Sequence, residues 1–85
     1  MKTYHIALAI NGQVSDVISY KNEHRSFEKE RELITKFVNN KEFYGFIKSV
    51  EIINLCEVIM ITEDNIKLLV KWTNVVLWNE SELED

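Results

Sequence analysis

The chain has no proline, only two glycines (Gly12 and Gly45), one cysteine and two histidines in 85 residues. Each scarcity removes a class of chemistry. So little glycine and proline leaves few flexible loops, the places where catalytic and binding groups are usually carried. Two isolated glycines cannot build a phosphate-cradling loop. A single thiol, Cys56, excludes an intramolecular disulfide and any zinc site made from paired thiolates, and its setting in Leu55-Cys56-Glu57-Val58 reads as a small hydrophobe in a strand. A reducing, cytoplasmic setting is expected. His5 and His24 lack the close His/Cys/carboxylate spacing of a metal site, so no metal and no cofactor are expected. None of Ser15, Ser19, Ser26, Ser49 and Ser81 stands in a Gly-x-Ser-x-Gly context. No apolar run approaches the roughly 20 residues that span a bilayer, and no basic segment followed by an apolar run opens the chain, so a soluble, unprocessed protein is expected without a membrane role.

What is present is hydrophobic and charged: 46% of residues are apolar and 28% charged, with a net charge of −4. Glu80, Glu82, Glu84 and Asp85 account for that excess, which leaves residues 1 to 79 with ten acids and ten bases. A neutral body has no long-range field of either sign, which argues against direct nucleic-acid binding. The length allows one domain, residues 1 to 79, followed by an acidic tail over 80 to 85 that reads as a solvated, frayed end. Ile, Lys and Asn make up 26 of the 85 residues. That bias is the mark of an AT-rich coding source and suggests a phage or mobile element of a low-GC bacterium.

Tyr4, Ile6, Leu8 and Ile10 recur at period two, which predicts a strand with one face on a core and His5, Ala7 and Ala9 on the other. Asn11-Gly12 signals a hairpin, with Val14 to Tyr20 returning. A two-residue turn alone would set Leu8 against Ser15 and Ile10 against Gln13. A three-residue loop with a glycine bulge is therefore expected, placing Val14, Ile18 and Tyr20 with Leu8, Ile6 and Tyr4. That register leaves Asp16 on the core side, where desolvation would raise its pKa and offer an acid/base group. The favoured explanation is structural: the register is off by one, or Asp16 occupies an edge strand where an inward charge blocks aggregation.

Ser26 is a sound N-cap, Glu28 and Glu30 sit near the positive end of the helix dipole, and Phe27, Leu33, Ile34, Phe37 and Val38 form one stripe. The spacing predicts a helix from Ser26 to Asn39, wet along Lys29, Arg31, Glu32 and Lys36. Phe43-Tyr44-Gly45-Phe46 reads as an aromatic connection tucked under it. Residues 46 to 55 and 57 to 62 are rich in Ile and Val and read as two short strands or one bent strand. Glu63-Asp64-Asn65 is a turn, and Ile66, Leu68, Val70 and Trp72 alternate as a further strand. A helix capped near Thr62 competes with it. Val75 to Trp78 reads as a last short strand.

The expected fold is α+β: an antiparallel β-sheet with one amphipathic helix packed on one face, in β-β-α-β-β(-β) order. One helix covers one face, so the other is left with surplus apolar groups. Ala7, Ala9, Val17 and Leu69 mark that face, with Trp72 and Trp78 at its margin. The function this favours is a small non-enzymatic protein-interaction module, an inhibitor or adaptor, that binds a protein partner or forms a homodimer through the uncovered face or an edge strand. The competing reading is an acidic inhibitor that fills a nucleic-acid-binding channel of a host enzyme through its C-terminal tail. An enzymatic reading would have to rest on Asp16 or His24.

Overall fold

A computed structural model describes residues 1–40 and 45–75. The elements are β1 (Lys2–Ile10), β2 (Gln13–Asn22), α1 (Phe27–Asn39), β3 (Ile47–Asn54), β4 (Glu57–Thr62) and β5 (Lys67–Val75). The five strands form one sheet in the order β2-β1-β5-β4-β3, and every neighbouring pair is antiparallel. This is the expected α+β architecture. No helix among the described residues is long and apolar enough to cross a membrane.

Strands β1 and β2 are a hairpin, and β3, β4 and β5 a meander. α1 carries the chain from one edge of the sheet to the other. Thirteen residues at ~1.5 Å per residue give a helix about 20 Å long. Four inter-strand spacings of ~4.8 Å give a sheet about 19 Å wide. One helix of this length therefore suffices to connect the two edge strands across a single face.

The core lies between that helix and the sheet. Ile6, Leu8 and Ile10 of β1, Tyr20 of β2, Val58 and Met60 of β4, and Leu68, Val70 and Trp72 of β5 are buried against Ile34 and Val38 of α1. Period two in the strands and a spacing of four in the helix bring these residues to one layer. Ser26 caps the helix, its Oγ accepting from the Lys29 amide at 3.2 Å. At the other end the Asn39 side-chain oxygen accepts from the Ile47 amide at 2.8 Å and ties the helix to the start of β3.

The first hairpin departs from expectation in where its irregularity sits. Asn11 (φ 51) and Gly12 (φ 82) form a two-residue turn with both residues left-handed, and Ile10 pairs with Gln13. The bulge comes later, at Ser15, so Ala9 faces Val14 while Leu8 faces Asp16, Ile6 faces Ile18 and Tyr4 faces Tyr20. Val14 is therefore on the side away from the helix and 81% exposed. Asn-Gly chemistry satisfies the tight turn, and the bulge restores agreement between apolar rows one pair further on. Asn11 also extends the β1–β5 ladder: its amide donates to the Leu69 carbonyl at 2.8 Å and its side-chain oxygen accepts from the Leu69 amide at 2.9 Å.

Two further expectations need correction. His5, expected on the strand face away from the core, is nevertheless buried, and its Nδ1 lies 2.7 Å from Ser19 Oγ across the hairpin. Phe46 is exposed and does not tuck beneath the helix; Phe43 and Tyr44 lie outside the described residues. The strand expected from the alternation of Leu68, Val70 and Trp72 is present over residues 67 to 75, in place of the competing helix capped near Thr62, and Thr62 Oγ1 accepts from the Ile66 amide to close the β4–β5 turn.

Candidate functional site

The densest polar cluster among the described residues is internal. Glu30 lies four residues before Ile34 and eight before Val38, on the buried stripe of α1, and its side chain is fully buried. Its Oε2 accepts from the Tyr20 hydroxyl at 2.5 Å and from Arg25 Nε at 2.9 Å. Its Oε1 accepts from Arg25 Nη2 at 3.1 Å and from Trp72 Nε1 at 2.9 Å. Tyr20 in turn accepts from the Ser26 amide at 3.0 Å. Four donors from β2, the loop before α1, and β5 therefore converge on one carboxylate.

The carboxylate itself is shut off from solvent, while Arg25 remains partly exposed. A buried charge is tolerated when it is paired and its lone pairs are filled, and both conditions hold here. Burial, followed by the hydrogen bond to Glu30, pushes the Tyr20 hydroxyl up to about 12. The same carboxylate raises the Arg25 guanidinium above its ordinary value, chiefly through its hydrogen bonds. Arg25 also lies over the Phe27 ring at 4.4 Å and within 3.6 Å of Cys56 Sγ. The cluster fastens the entry to α1 onto the sheet.

The two supports for acid/base chemistry are both on the surface. Asp16 faces the helix side in register but is exposed on the edge strand, with its Oδ1 accepting from the adjacent Val17 amide. His24 is also exposed. Among the described residues no group of His, Cys, Asp and Glu is placed to hold a metal ion.

The sheet face away from the helix carries Ala7, Ala9, Val17 and Leu69 together. Ala7 faces Val17 across β1 and β2, and Leu69 faces Ile59 across β5 and β4. Lys71 lies between these patches, opposite Ala9 and paired with Glu57 at 3.5 Å. The face is thus divided into small apolar areas by charge. Trp72 does not belong to its margin: it points to the helix side, 2% exposed, because its indole N–H donates to Glu30. Trp78 and the acidic residues 80 to 85 lie outside the described residues.

The larger apolar exposure is at one edge. β3 pairs with β4 alone among the described strands, and Val50, Ile52, Ile53 and Leu55 beside it are 40%, 58%, 48% and 61% exposed. Register irregularities at Ile47/Ser49 and at Ile52/Asn54 bracket an even ladder from Ser49 to Ile52. Val50 and Ile52 face the helix side, opposite Met60 and Val58, and floor an open groove of about 310 Å³ walled by Glu28, Arg31, Glu32 and Thr35 of α1. The opposite edge differs. β2 is broken by its bulge, carries the charge of Asp16 there, and presents Gln13, Ser15, Ser19 and Lys21 to solvent.

Sequence reasoning placed neither Glu30 nor the β3 edge in a site. The spacing of Glu30 with Ile34 and Val38 was an available signal for the first. The second has no local signal, because edge position follows from pairing between distant strands. No family model, no curated protein and no solved structure matches this chain.

Proposed function

We propose that this chain is a small non-enzymatic protein-interaction module, an inhibitor or adaptor in kind, that engages a protein partner through the exposed edge of β3. The observation that carries this reading is the contrast between the two edges. Native sheets blunt free edges with charge, bulges or short strands, because unpaired backbone groups recruit other chains. β2 has a bulge and the charge of Asp16 within its ladder, beside exposed Val14 and Val17, whereas β3 has its irregularities only at either end of an open ladder that bears Glu51 and the exposed Val50, Ile52, Ile53 and Leu55. An edge kept apolar on a chain this small is expected to have a use, and strand addition is the recurring one. The full occupancy of Glu30 by its own donors, together with the surface positions of Asp16 and His24, supports a non-catalytic role.

Affinity capture from the source cell with paired surface variants tests the reading. A protein retained by the wild type should be lost with Ile52→Lys/Ile53→Lys and kept with Val17→Lys/Leu69→Lys, all three proteins showing the same circular dichroism. Loss with the second pair and retention with the first would move the interface to the open face of the sheet.

A further inference from the structure

We propose that the segment β3 accepts is an extended basic strand, with Lys or Arg at alternate positions, added as a sixth strand along Ser49 to Ile52. The proposal rests on the interaction reading above and names the chemistry of the partner. A strand laid beside β3 places every second side chain over Val50 and Ile52, on the groove beneath α1. The wall of that groove carries two carboxylates, Glu28 and Glu32, against one guanidinium, Arg31. On β3 itself the exposed Glu51, on the other face, is offset by Lys48, which donates to the Asn65 side chain, so the acidic excess lies on the groove wall. Lys and Arg fit both parts of the groove: the aliphatic stem covers the apolar floor and the cationic head reaches the carboxylates.

A second copy of the chain fits less well. Antiparallel pairing of β3 with itself about a two-fold axis keeps both helices on one side of the sheet. The register that sets Val50 against Ile52 in both directions places Glu51 directly opposite Glu51 of the second copy, which is a destabilising pair. Shifting by two residues sets Ile52 against Ile52 and Val50 against Asn54, or Val50 against Val50 and Ile52 against Lys48. The first shift sets an apolar residue against an amide, and the second brings only one cation, Lys48, over the groove of each copy. A basic partner strand avoids the Glu51 pair and brings a cation to every groove position.

Fluorescence anisotropy with labelled synthetic peptides tests the assignment on the full chain. The probes are a seven-residue peptide alternating Lys and Val, its counterpart alternating Glu and Val, and the basic peptide with alternate amides N-methylated. The basic peptide is expected to bind at least tenfold more tightly than the acidic one, and N-methylation to weaken it at least tenfold, because strand addition needs those N–H groups. In Glu28→Gln/Glu32→Gln, whose substitutions lie on the exposed side of the helix, the preference for the basic peptide should shrink severalfold while binding persists. Equal affinity for the two charge types overturns the basic assignment. Indifference to N-methylation overturns strand addition, and a dimer in light scattering that the peptide dissociates identifies a second copy as the occupant. Failure of every peptide while Ile52→Lys/Ile53→Lys still abolishes partner capture would sink the basic-strand proposal and leave the interaction reading standing.

Discussion

At the scale of single residues, Glu30 sets the terms. Removing one partner of a buried, hydrogen-bonded ion pair leaves the others with desolvated donors. Glu30→Gln is therefore expected to cost about 3 kcal/mol, the low end of the range for breaking such pairs because Arg25 is partly exposed. Urea denaturation followed by fluorescence reads this directly. Trp72→Phe removes a single donor from the same carboxylate and should cost about 1 kcal/mol beyond the loss of indole packing. Tyr20 adds a pH dependence. Its folded pKa of about 12 lies above the ~10 of an unfolded chain, so the neutral hydroxyl is the form that folding favours. The stability it contributes is fully present below pH 10 and is lost as pH rises through about 12. Denaturation midpoints between pH 9 and pH 12 should fall more steeply for the wild type than for Tyr20→Phe; parallel profiles would assign the alkaline loss to other groups.

At the scale of elements, local chemistry explains the hairpin and the helix and stops short of their assembly. Asn11-Gly12 specifies a turn in which both residues are left-handed, and at Gly12 an added Cβ would meet nothing within 4 Å. Gly12→Ala should therefore cost about 1 kcal/mol from backbone strain alone. Ser26→Ala removes the N-cap for a similar amount, and each should lower the melting temperature by about 4–8 °C. The alternation of Tyr4 to Ile10, the stripe of α1 and the Ile- and Val-rich runs of residues 46 to 55 and 57 to 62 made strand and helix identities legible in advance. The site of the bulge was not, because it depends on which pair of β1 and β2 must fall into step, and Ser15 carries no mark of it. The burial of Glu30 was half legible: its spacing from Ile34 shows the face it occupies, but not that Tyr20, Arg25 and Trp72 wait there from other elements. The placing of Trp72 at the margin of the open face ran against its alternation with Leu68 and Val70, which sets it in the row opposite Leu69.

At the scale of the whole molecule, strand order decides which apolar residues reach the surface. β5 enters between β1 and β4, and the β2-to-β3 crossover by α1 sends β3 to the far edge, so that Val50, Ile52 and Ile53 become boundary residues instead of a second core. No period or spacing within the chain encodes that outcome, because it is decided by pairings between distant segments. The two edges then divide the roles of protection and exposure. Deletion of residues 80 to 85 is expected to leave partner binding intact, since the β3 edge and its groove lie apart from the acidic tail in sequence. Isothermal titration of the captured partner with the full and shortened chains checks this. Loss of binding on deletion would favour the acidic inhibitor that fills a nucleic-acid channel.

Amide hydrogen exchange on the complex with the captured partner tests the central claim most directly, because strand addition hydrogen-bonds amides that are otherwise open to water. Slowed exchange confined to residues 49 to 55, with β2 unchanged, is the predicted result. Protection on β2 or on the open-face residues around Ala7 and Leu69, with residues 49 to 55 unaffected, would contradict it.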